Sequence, residues 1–215
     1  MTTDESRTPD DVAAAELSLP EELQLALPPF GGQLRPGSMD LAVAAIIDLA
    51  LRGNLVATPT RWGQPSEAKL ALVDASPTGH DCLDVMLRSF VARGKTWKIH
   101  SCINKHWEVV SKATTRSLVA RGALAAHGTM RDRDGYLEPV DLALRDQYVS
   151  RLANAPQPED PRAAVLLDIR HYSAWGWTPL PGQTKAPILG NYPGSVEVAA
   201  RGALSALYIA SGSAA

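Results

Sequence analysis

The chain has 215 residues, 45% of them hydrophobic, which is enough for a substantial core in one large or two small domains. Its formal charge is -2 with acids and bases interspersed, so bulk composition offers no basic tract for nucleic acid or for an anionic membrane surface. Cys82 and Cys102 form no recognisable metal or disulfide framework, which suits a reducing cytoplasm.

Residues 1–16 are acidic and polar, without a basic n-region or an apolar h-region. They read as a disordered tail and not as a signal peptide, and residues 17–215 read as one helical domain. "SLPE" (Ser18 to Glu21) has the capping-box pattern, in which the serine oxygen satisfies a first-turn amide and the glutamate reaches back. "PPFGG" (Pro28 to Gly32) stops that short helix, and Ser38 can cap the next. The run Leu41 to Leu51 is apolar nearly all round, as in a central core helix, and Gly53 supplies its exit. Asp48 interrupts the run, which is in any case too short to span a bilayer.

"NLVAT" and "AKLALVDA" read as two short strands of a hairpin. Leu83, Met86, Leu87, Phe90 and Val91 keep helical period up to Gly94. A longer helix is expected from about Ile103 to Arg121, ended by Gly122. Asp134-Gly135 suits a tight hairpin turn. Asp141 opens one helix and Asp160-Pro161 another. "TPLPGQTKAPILGNYPG" holds too much Pro and Gly for regular structure, and a last apolar helix runs from about Val196 to Ala210. The predicted class is mainly α, a single helical domain with small β-hairpins.

Four fragments occur in a telling order: "LSLPEELQLAL" (Leu17 to Leu27), "IIDLALRGNL" (Ile46 to Leu55), "DASPTGHDCLD" (Asp74 to Asp84) and "LVARGAL" (Leu118 to Leu124). Their succession resembles the Golgi phosphoprotein 3 family, which has many bacterial members, over roughly residues 17–175. The resemblance implies a mainly helical domain with a protruding β-hairpin. It also implies docking on Golgi membranes through phosphatidylinositol 4-phosphate and recruitment of glycosyltransferases. The family's headgroup site uses one tryptophan and three arginines. Placed residue by residue, those positions hold Gln33, Ala42, Glu108 and Ser111 here, and none matches. A doubly charged headgroup needs cationic, preferably forked donors, and Glu108 would repel it. The hairpin, usually apolar at its tip, reads "HGTMRDRDGYLEP".

Where the headgroup set is missing, acids and aromatics stand out. Asp81 and Asp84 lie one helical turn apart, and Asn104, Glu108 and Ser111 share one helix face with Lys112 beside them. Paired carboxylates and neutral oxygen donors on facing helices are what magnesium bound to a diphosphate requires. Asp168, His171, Tyr172 and Trp175 fall at i, i+3, i+4 and i+7, one stripe of "DIRHYSAWGW". Trp175, Tyr172, Trp107 and Trp97 could line an apolar cavity and stabilise a carbocation. His171 or Tyr172 would then accept the terminating proton with Asp168 orienting the histidine, and the Pro/Gly-rich segment after Trp177 would be a lid. The resemblance also implies terpene formation among some bacterial members.

Plainer roles compete with each of these. Asp81 is a natural helix cap, Asn104, Glu108 and Ser111 a solvated face, and Asp168 part of a satisfied buried network. "HSCINKH" lacks a fourth ligand and zinc spacing. The favoured expectation is a lyase of the terpene synthase type, using magnesium and acting on an isoprenoid diphosphate, a hydrophobic phosphate-bearing small molecule. The alternative is a non-catalytic lipid-binding or adaptor protein without selective phosphatidylinositol 4-phosphate recognition. Either way the expected protein is cytoplasmic, binds no nucleic acid and has no transmembrane segment, and peripheral membrane contact stays open.

Overall fold

The computed structural model describes residues 16–26, 39–61, 64–127, 136–153, 160–172, 190 and 192–210. Within them seven helices form: α1 (Leu19–Ala26), α2 (Met39–Leu51), α3 (Asp81–Arg93), α4 (Ile99–Ala120), α5 (Leu142–Ala153), α6 (Pro161–Tyr172) and α7 (Gly194–Ala210). Five short strands join them: β1 (Leu55–Thr58), β2 (Lys69–Leu72), β3 (Trp97–Lys98), β4 (Leu124–His127) and β5 (Tyr136–Pro139). The mainly helical class with small hairpins is as the pattern predicts.

Helix α2 is the axis of the fold. Every residue from Asp40 to Ala50 is buried, because α1, α3, α4, α6 and α7 all pack around it. Ile46, Ile47 and Leu49 are wholly enclosed, each contributing about 1.5–3 kcal/mol relative to exposure. Gly53 at φ 80° and Gly94 at φ 60° take the left-handed exits that end α2 and α3.

Helix α1 is wedged between two apolar clusters. Leu19, Leu23 and Ala26 join the main core, while Leu17 and Leu25 join a second cluster with Leu118, Ala123, Leu124 and Leu137 beneath the β4–β5 hairpin. All eight residues of α1 are therefore buried, including Glu21, Glu22 and Gln24. A helix placed this way must have its charges answered by neighbours.

The first hairpin forms as expected, with Leu55 opposite Leu72 and Thr58 opposite Lys69. A third strand, β3, adds to β2 through the pairs Lys69–Lys98 and Leu70–Trp97. It is two residues long, too short to leave a pattern in the sequence. Because Lys98 is extended and acts as the N-cap, α4 starts at Ile99 and not near Ile103, and the polar "HSC" lies inside its first turns. Strands β4 and β5 pair antiparallel from Leu124–Pro139 to His127–Tyr136. Asp141 and Asp160 cap α5 and α6 through Leu144 N–H and Arg162 N–H, each at 2.9 Å. The predicted tail up to residue 15, the "PPFGG" stop, the Asp134-Gly135 turn and the Pro/Gly-rich lid segment up to residue 189 lie outside the described residues.

Helix α7 crosses the loop before β2 so closely that only glycine fits at position 202. A Cβ there would stand 2.4 Å from Ile99 Cδ1 and 2.7 Å from the Pro65 carbonyl oxygen. Helix propensity alone would make Gly202→Ala stabilising by about 1 kcal/mol. We expect the reverse, a loss of about 1–3 kcal/mol in urea unfolding from overpacking against backbone. An unchanged or raised midpoint would mean that this approach is looser than described.

Candidate functional site

The fragments that make the sequence distinctive come together around α1. Ser18 N–H donates to Glu21 Oε2 at 2.7 Å, and Ser18 Oγ donates to the same oxygen at 2.6 Å. This is half of the predicted capping box, because the serine hydroxyl turns to the carboxylate and not to a first-turn amide. The Leu19 N–H at the head of the helix is taken instead by Asp48 Oδ2 of α2 at 2.7 Å. Ser117 Oγ from α4 donates to Glu21 Oε1, His80 Nδ1 lies 3.2 Å from Oε2, and Arg121 stands 3.6 Å away.

Arg162, from the start of α6, completes the network. Its guanidinium donates to the Leu17 carbonyl at 2.6 Å, to Glu22 Oε1 at 2.8 Å and to Asp48 Oδ1 at 3.2 Å. Arg52 Nε adds a bond to Asp48 Oδ1 at 3.0 Å. Three buried carboxylates, Glu21, Glu22 and Asp48, are thus answered by Arg52, Arg121 and Arg162, which keep an edge in water. Burial pushes the Glu21 carboxyl up, but the neighbouring His80 and the hydrogen bonds from Ser117 and Ser18 outweigh it and hold it at about 2. The Cys82 thiol lies 3.1 Å from Ser18 Oγ, and burial raises it to about 12, so it is no nucleophile. The network holds helices together and offers solvent no reactive group.

The sequence reading did not pick out Asp48, Arg52, Arg121 or Arg162 as partners. One signal was present: Asp48 is the lone charge in the interior of an otherwise apolar helix, and such a residue needs a cation.

The proposed magnesium residues are distributed differently. Asp84 Oδ1 accepts Thr78 N–H at 2.8 Å and Thr78 Oγ1 at 2.9 Å, tying down the loop before α3. Asp81, Asn104 and Glu108 are exposed, Glu108 is joined to Lys112, and Ser111 is buried. Among the described residues no group of three or more His, Cys, Asp or Glu is placed to hold a metal ion. His100 and His106 separate: His100 faces Glu67 at 3.1 Å, while His106 is enclosed. There Nδ1–H donates to the Cys102 carbonyl at 2.8 Å, which leaves Nε2 to accept from Ser89 Oγ at 2.7 Å. Burial lowers the His106 pKa and favours this neutral form.

Asp168 is buried on α6. It accepts the Tyr192 hydroxyl and, at 3.0 Å, the Gly190 N–H, fastening the approach to α7 onto α6. Burial and the Asp168 charge push the Tyr192 hydroxyl far up, so it stays a donor. Tyr172 is half-buried and meets Tyr208 edge-on at 6.1 Å. Trp175 and the side chain of His171 lie outside the described residues. Trp97 and Trp107 are half-buried against the core, and Arg93 lies 3.8 Å over the Trp97 ring.

Of the headgroup positions, Ala42 is wholly enclosed, Ser111 is buried and Glu108 is acidic, while Gln33 lies outside the described residues. The scaffold built from the four fragments nevertheless agrees with a known family. The family model for Golgi phosphoprotein 3 (GPP34) matches residues 19–183, well over half of the chain. The chain belongs to the Golgi phosphoprotein 3 family. No curated protein matches it.

Membership corrects the favoured expectation. The Golgi phosphoprotein 3 family is one of non-enzymatic lipid-binding and adaptor proteins, so the terpene synthase reading is overturned. The isoprenoid diphosphate substrate and the magnesium it required fall with it. That expectation rested on helix spacing, which shows only that residues share a helix face. No helix among the described residues is long and apolar enough to cross a membrane.

Proposed function

We propose that residues 17–215 act as a non-catalytic, peripheral lipid-binding or adaptor module of the Golgi phosphoprotein 3 type, working in the cytoplasm, without selective recognition of phosphatidylinositol 4-phosphate. One observation carries this reading. The family model matches residues 19–183, while the headgroup positions hold Ala42, Glu108 and Ser111. An enclosed alanine, an acid joined to Lys112 and a buried serine supply none of the forked cationic donors that a phosphomonoester requires. Lipid contact in this chain therefore rests on general charge and apolar surface.

Flotation with vesicles of matched total charge tests it. Phosphatidylcholine vesicles carrying phosphatidylinositol 4-phosphate should recruit the protein no better than those carrying phosphatidylserine. Strong preference for the phosphoinositide would overturn the reading, as would failure to bind both vesicles and protein partners.

A further inference from the structure

The stretch from Val85 to Trp107 holds Arg88, Arg93, Lys95, Lys98 and Lys105 but no Asp or Glu, in a chain of net charge -2. The acids sit elsewhere, so the overall balance hides a local excess. In the fold this stretch is most of α3, the turn after it, β3 and the first turns of α4.

Helices α3 and α4 run antiparallel, with Ser89 against His106 at one level and Cys82 against Thr114 at another. Arg88 and Lys105 each precede the Ser89–His106 contact by one residue. One step back turns a side chain by about 100°, in opposite senses for antiparallel helices, so both project to the same side of the pair. Ala92 follows Arg88 by one turn, and Val109, Lys112 and Arg116 continue the stripe from Lys105 at +4, +7 and +11. Arg88, Ala92, Lys105, Val109 and Arg116 are exposed, and Lys112 is partly so. Three acids lie on or beside the stripe: Asp81 and Asp84 at its far end, Asp84 being bonded to Thr78, and Glu108, which Lys112 holds, against Arg88, Lys105, Lys112 and Arg116. At the near end Lys95 is exposed and Lys98 is joined to Glu67.

We infer that this α3–α4 face is the surface by which the protein docks on an anionic lipid bilayer, an inference that rests on the peripheral lipid-binding reading above. Charge complementarity favours an anionic partner, and the valines select among anionic partners. Val91 is 56% exposed and Val109 45% exposed beside the cations, which suits insertion between headgroups. Nucleic acid would gain from exposed stacking rings, but Trp97 and Trp107 pack against the core. The face provides spread-out positive charge with no forked pocket, so recruitment follows surface charge density and not headgroup identity.

Flotation of the full chain on phosphatidylcholine vesicles with and without phosphatidylserine reads this directly. Wild type should bind only the anionic vesicles and be released by salt. Arg88→Gln and Lys105→Gln should each weaken partition about fivefold, and Arg88→Gln/Lys105→Gln/Arg116→Gln should all but abolish it. Arg201→Gln, the same charge change on α7, should leave partition unchanged, and circular dichroism should show every variant folded. If wild type binds and the triple variant binds equally well, the face is misassigned although the lipid-binding reading stands. If wild type floats on neither vesicle, this inference and the lipid-binding half of the reading fail, and the adaptor half is decided by binding to protein partners. Tighter binding to a duplex oligonucleotide than to anionic vesicles, lost in the triple variant, would overturn the bilayer as partner.

Discussion

Replacing Arg162 with methionine should destabilise the protein by about 3–5 kcal/mol, the largest effect expected of any single side chain here. The guanidinium satisfies the Leu17 carbonyl, Glu22 and Asp48 together. Methionine fills the volume but leaves two carboxylates short of positive charge beneath α1. Domains of ordinary stability have roughly 5–15 kcal/mol in total, so much of the margin would go. Arg162→Lys should recover only part, because an ammonium is a point charge and the three acceptors sit around a planar fork. Urea unfolding decides the matter: an Arg162→Met midpoint equal to that of wild type would show that the network contributes nothing.

The second large effect depends on pH. The Glu21 carboxyl is held at about 2, against an ordinary value of 4.5. A depressed folded-state value means that the unfolded chain takes up the proton first on acidification. The stabilisation is therefore complete above about pH 4.5 and is lost as pH falls toward 2. Its size is on the order of 3 kcal/mol, from 1.36 kcal/mol per unit. Wild type should lose stability steeply through that window, and Glu21→Gln should start less stable and show a flatter dependence. Parallel curves for the two proteins would remove Glu21 as the source.

Most of the architecture was legible from the chain. Gly53 and Gly94 ended helices where the pattern placed them, and Asp141 and Asp160 capped where they stood, because caps and left-handed exits are local chemistry. What failed was long-range. Arg162 sits in "PRAAVLL", where periodicity sees only a helix, and its partners lie at Leu17, Glu22 and Asp48. Ser111 shared a helix face with Glu108 by spacing, yet one is buried and the other exposed, because neighbouring helices cover only part of that face. Asp168 was read both as an orienting acid and as a buried network member. Its bonds to Tyr192 and Gly190 could not be foreseen from α6 alone. The basic face escaped notice because total charge averages the Val85 to Trp107 segment with acids elsewhere.

The reach of Arg162 across 145 positions to Leu17 also bears on the order in which the protein assembles. A chain emerging from the ribosome presents Glu21, Glu22 and Asp48 long before the arginine that answers two of them has been made. Until then α1 has no reason to settle into its wedge, since doing so would enclose charge without compensation. The amino-terminal helix should thus be among the last to dock, and the early nascent chain should rely on α2, α3 and α4 for its first compact state. Loop closure over so long a span makes that final step slow. A ribosome-stalled chain ending before residue 160 should leave α1 open to proteolysis, and one extended past α6 should protect it.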